Sequence, residues 1–120
     1  MLTDGYGTGT EILKATQLAT DKFATLPTRR FADSVSALGE NVWRYYFSWV
    51  SPEKRSSVPG AIHTSEIPYV FGNHSSTEQC DNALSEKMIA RWLNFSRTGN
   101  PNSSSLPIWP RWVSGEKTLW

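Results

Sequence analysis

Gly60-Ala-Ile-His63-Thr-Ser-Glu66-Ile-Pro-Tyr-Val-Phe71-Gly72 is the stretch on which the reading turns. It sets one histidine in a short loop ahead of an apolar run. Upstream, Val42-Trp-Arg-Tyr-Tyr-Phe47 is rich in β-branched and aromatic residues, with Gly39 before it and Ser51-Pro52 after it. That composition predicts a buried strand over residues 42–49. A histidine on a loop beyond a strand end is well placed as a general base, because its ordinary pKa lies near neutrality and it can take and return a proton.

Working outward, Glu11 to about Asp21 carries Ile12, Leu13, Ala15, Leu18 and Ala19 at helical spacing, with Thr10 as its cap. Pro27 fits the start of a second helix that ends near Leu38, where Gly39 stops it. Phe31, Val35 and Leu38 are its expected buried stripe. A third helix is predicted from Asp81 or Asn82 to Thr98, with Leu84, Met88, Trp92 and Phe95 facing the core. Gly99 and Asn100-Pro101 end it. Residues 1–9 read as loop, and Thr118-Leu-Trp120 reads as a strand stub.

These segments together resemble the C-terminal part of the type B carboxylesterase family, which includes cholinesterases, bile-salt-activated lipases and fungal esterases. The strand followed by GAIHTSEIPYVFG is similar to the last main strand and catalytic-histidine loop of that family. Trp92-Leu-Asn-Phe95-Ser-Arg-Thr-Gly99-Asn-Pro101 resembles its W-x-N-F-A-x-T-G-x-P helix end, and Trp109-Pro-Arg-Trp112 its W-P-x-Y. Asp21-Lys-Phe23-Ala-Thr-Leu-Pro27-Thr-Arg-Arg30 is similar to a stretch of that family that precedes the strand. The resemblance implies an α/β fold: the C-terminal fragment of an α/β-hydrolase over residues 1–120, mostly helical, with one main strand and a terminal strand stub. It implies that His63 is the base of a Ser-Glu/Asp-His triad acting on carboxylic esters.

The rest of a triad is not in the chain. An α/β-hydrolase nucleophile sits in Gly-x-Ser-x-Gly, and the sequence holds no such pentapeptide and no HGGG-type oxyanion segment. The expectation is a piece that holds the base, with nucleophile, acid and oxyanion hole outside it, and so inactive alone. Glu66, three residues after His63, is either a supporting carboxylate near the site or a cap of the following turn. His74, in Gly72-Asn-His-Ser, is expected on an exposed loop. A non-catalytic binding relative of the same family and a free-standing helical interaction module are the alternative readings.

Composition bounds the partners. Across 120 residues, 12 Lys and Arg face 11 Asp and Glu, and a formal charge of +1 gives no field for nucleic acid. No apolar run reaches the ~20 residues of a membrane span, and the first residues lack the pattern of a signal peptide. Two histidines and one cysteine are too few for a zinc site, and no cofactor is expected. Cys80 is expected to be a buried thiol or to pair outside the chain. Its acidic neighbours argue against a nucleophile. Asn73 and Asn102 lie in Asn-x-Ser sequons on loops and are the glycosylation candidates, which leans toward a secreted parent.

Overall fold

The computed structural model of the chain describes residues 11–115. The element order there is α1 (Glu11–Thr20), a π turn (Asp21–Thr25), α2 (Leu26–Ala37), a 3-10 turn (Pro52–Lys54), α3 (Ile67–Phe71) and α4 (Gln79–Thr98). The predicted strand stub and residues 1–9 lie outside the described residues. None of the described helices is long and apolar enough to cross a membrane. The chain divides into two units, one reaching Val42 and resuming at Trp112, the other containing Trp43–Arg111.

In the first unit, α1 and α2 are not separate helices. The chain stays helical between them and widens into a π turn, closed by the Leu26 N–H on the Asp21 carbonyl. Pro27 supplies the reason. It has no N–H for the carbonyl four residues back, and its ring crowds that carbonyl, so the preceding turn opens. α2 ends as the sequence predicts, at Gly39 with φ +85°, whose N–H reaches the Ser36 carbonyl at 3.0 Å. Its buried residue is Ala32, whereas Phe31 is 71% and Leu38 81% exposed. The stripe expected to be buried is thus mostly in the open. Trp112 is buried. Its indole N–H donates to Asp33 at 2.9 Å, its backbone N–H donates to Val42 at 2.7 Å, and the Arg29 guanidinium lies 6.0 Å over its ring.

In the second unit the predicted strand is a correction. Residues 42–49 belong to no strand ladder among the described residues. A ladder needs neighbouring strands, and the described residues contain none. The period-2 alternation of a strand is nevertheless used, against a helix. Trp43 meets Phe95 edge-on at 6.0 Å, Tyr45 meets Trp92 at 5.4 Å, and the Trp49 indole donates to Asp81. Tyr46 and Ser48, on the alternate positions, are exposed. Trp43 to Trp49 is six extended steps, or about 20 Å. Asp81 to Phe95 is fourteen helical steps, or about 21 Å. The segment therefore runs antiparallel along α4 with matched length.

α4 ends at Gly99, with φ +72° and its N–H on the Phe95 carbonyl at 2.8 Å. Past it, Asn102 imitates a backbone partner for Trp109. Its Oδ1 accepts the Trp109 N–H at 2.7 Å and its Nδ2 donates to the Trp109 carbonyl at 2.9 Å. Arg91, fully buried, donates to the Pro107 carbonyl and to Asn102, and its guanidinium lies 5.6 Å over the Trp109 ring. The Trp109 indole in turn donates to the Arg44 carbonyl at 3.1 Å. Replacing Asn102 by Ala removes both bonds to the Trp109 backbone. The expected loss is about 2–3 kcal/mol of unfolding free energy, read by urea denaturation; a loss under about 0.5 kcal/mol would contradict the pairing.

Candidate functional site

His63 sits in a turn directly before α3, with its imidazole exposed. Thr64 is the non-glycine residue with a positive φ, +70°, among the described residues. A threonine in the left-handed region is strained by about 1–3 kcal/mol, and such strain persists only where surrounding structure imposes it. The imposing structure is a run of hydrogen-bonded turns. Ser65 N–H reaches the Ile62 carbonyl at 3.1 Å, Ile67 N–H reaches Thr64 at 3.1 Å, and Tyr69 and Val70 N–H both reach Glu66, at 3.0 and 3.1 Å. α3 then closes on Gly72 in the left-handed conformation. A Cβ there would meet the Ile89 side chain at 3.1 Å, so glycine serves both the turn and the close approach.

Five residues are too few for a stable helix alone, and α3 is held by α4. The buried Tyr69 carbonyl accepts from the Ser85 hydroxyl at 2.7 Å, and its phenol donates to Asp81 at 3.0 Å. Asp81 and Ser85 are four residues apart and share a face of α4. Phe47 packs on the Tyr69 ring at 5.5 Å, and His74 stacks on it at 5.0 Å. His74 is therefore half-buried against Tyr69, not the exposed loop residue expected from sequence.

The Asp81 carboxylate is fully buried and accepts from Trp49, Ser51, Tyr69 and Ser76. Those residues come from the extended segment, its exit, α3 and the loop before α4. Burial alone would raise its pKa. Hydrogen bonds from Ser51, Ser76, Trp49 and Tyr69 overcome that and hold it at about 2, below its ordinary 3.8. A place in the first turn of α4 also favours the anion. The Tyr69 phenol is pushed up to about 12 by burial and by its bond to Asp81.

Among the residues singled out from sequence, His63 and Glu66 lie in the same turn. The Glu66 side chain makes no cap bond to α3; its backbone carbonyl does the capping. Burial first, and the Glu66 charge second, push the Tyr45 phenol up, so this carboxylate acts across space on Tyr45. Asn73 is exposed, whereas the Asn102 amide nitrogen is taken by Trp109. Cys80 is exposed, which corrects the expected buried thiol. No cluster of three metal-ligating side chains forms among the described residues. An open groove of about 390 Å³ is lined by Ser48, Trp49, Val50, Arg55, Val58, Pro59 and Gly60. Ile62 and Phe71, on either side of His63, are 70% and 75% exposed.

Asp81, Tyr69, Ser51, Ser76 and Ser85 were not visible as a site in the sequence. A buried polar residue and a solvated one look alike in a hydropathy pattern. The shifted carboxyl makes them testable. Its folded pKa is below its unfolded one, so its contribution is complete above about pH 4 and is lost as pH falls through about 2. Unfolding free energy should drop by about 2 kcal/mol across that window, and Asp81→Asn should remove that part of the acid dependence. Unchanged acid dependence in the variant would contradict it.

The model of the carboxylesterase family matches residues 6–120. Carboxylesterase 4A of Bos taurus is 38% identical over 109 residues, 85% of this chain and 20% of that protein. The bile salt-activated lipase of Mus musculus is 32% identical over 111 residues, 85% of this chain and 18% of that protein. The crystal structure of a Geobacillus stearothermophilus carboxylesterase superposes with a TM-score of 0.75 at 26% identity, covering 94% of this chain and 25% of that one. The chain thus spans about a fifth of the length of the curated relatives it matches. It belongs to the carboxylesterase family, and its fold is that of a C-terminal part of an α/β-hydrolase.

Proposed function

We propose that this chain is the C-terminal portion of a carboxylic-ester hydrolase and that His63 is its catalytic base. The observation that carries the reading is the exposed His63 imidazole on a turn whose next residue, Thr64, is held at φ +70°, within a segment matched by the family. Backbone strain beside a titratable, accessible side chain is a mark of functional turns.

The chemistry is acyl transfer in two halves. His63 takes the proton of a serine hydroxyl as that oxygen attacks the ester carbonyl, then gives the proton to the departing alcohol. It next takes a proton from water, which attacks the acyl-enzyme; the carboxylic acid leaves and the serine recovers its proton. The serine, the acid that orients His63 and the oxyanion donors come from outside these 120 residues. Glu66 is a supporting carboxylate of the same turn. The parent is read as a secreted serine esterase of the type B group, with Asn73 as its exposed glycan acceptor.

The test is a graft. This chain replaces the matching C-terminal quarter of the Geobacillus carboxylesterase, and hydrolysis of a short-chain p-nitrophenyl ester is followed. His63→Ala should lower kcat at least about a thousandfold, as loss of a triad base does. Equal rates for the graft and its variant would reject His63 as the base and favour a non-catalytic binding relative.

A further inference from the structure

We propose that Tyr69, clamped by Asp81, is the positioning residue for His63, an inference that rests on the reading of His63 as base. Tyr69 follows His63 by six residues and is linked back to it by an unbroken series of turns: Tyr69 N–H to Glu66, Ile67 N–H to Thr64, and Ser65 N–H to Ile62. It is pinned at two points by one face of α4, the phenol on Asp81 at 3.0 Å and the carbonyl under Ser85 at 2.7 Å. Two fixed points on a rigid helix set both the place and the rotation of α3. With α3 set, the turn before it has little freedom, and Thr64 is kept in a conformation it would otherwise leave. Asp81 is in turn fixed by Trp49, Ser51 and Ser76. A strained turn needs this kind of support, since a catalytic side chain is useful only when held to about 0.5 Å.

Ser76 provides the control. It also donates to Asp81 but lies outside the turn series, so losing it weakens the same carboxylate without releasing α3. Amide hydrogen exchange is measured residue by residue on the chain. In the unsubstituted protein, Ser65 and Ile67 should exchange more slowly than exposed loop amides such as Ser104. Tyr69→Phe should speed Ser65 and Ile67 about tenfold while the centre of α4 stays protected. Ser76→Ala should leave those two amides within about twofold. In the grafted esterase, Tyr69→Phe should lower kcat with KM unchanged, the sign of a displaced base. Free exchange of Ser65 and Ile67 in the unsubstituted chain, or equal effects of the two variants, would overturn the proposal. If Tyr69→Phe loosens α4 as well, the unsubstituted pattern decides. His63→Ala should leave the exchange pattern unchanged, so failure of the catalytic reading and failure of the clamp remain separable.

Discussion

A fully buried carboxylate with four neutral donors is the constraint on which the second unit depends. Taking one carboxylate out of water costs several kcal/mol. Hydrogen bonds to a charged group contribute about 1.5–3 kcal/mol each, so several such bonds acting together offset the cost. The arrangement is therefore cooperative: the charge is tolerated only when most of its donors are in place. Because those donors come from separate stretches of chain, satisfying the charge also assembles the unit. The extended segment, its exit loop, α3 and the start of α4 are drawn to one point.

Length matching extends that order to the other end of α4. An extended chain advances more than twice as far per residue as a helix, so the six steps from Trp43 to Trp49 match the fourteen steps from Asp81 to Phe95 of α4. The odd-numbered aromatics lie along the helix, and Trp109 caps the arrangement through Asn102 and Arg91. Arg91 is the second buried charge. Desolvation lowers its pKa, and its two terminal nitrogens bond to Asn102 and the Pro107 carbonyl. Two buried ions, one in the first turn and one in the second half, thus anchor a single helix at two points.

The sequence made some of this legible and hid the rest for physical reasons. Gly39 and Gly99 marked helix ends correctly, because a left-handed terminus favours glycine whatever surrounds it. The His63 loop was readable because its motif is contiguous. Residues 42–49 showed the right alternation, but alternation does not say whether the covering partner is a strand or a helix. α4 was expected to bury Leu84, Met88, Trp92 and Phe95. Met88 is buried, Phe95 is half exposed, and Asp81, Ser85 and Arg91 take core places. Polar residues enter a core through partners distant in sequence, which no local pattern displays. His74 was misplaced for the same reason, since its cover is the Tyr69 ring.

Several large apolar side chains remain uncovered, among them Phe23 and Phe31 in the first unit and Ile62 and Phe71 in the second. That fits a chain that corresponds to a quarter of a solved carboxylesterase. The central claim is that the Asp81 charge energetically couples α3 to α4. A double-mutant cycle measures it directly, with Asp81→Asn, Tyr69→Phe and the pair compared by urea unfolding. A coupling of about 1.5–3 kcal/mol is predicted. Additive effects within about 0.3 kcal/mol would contradict the account.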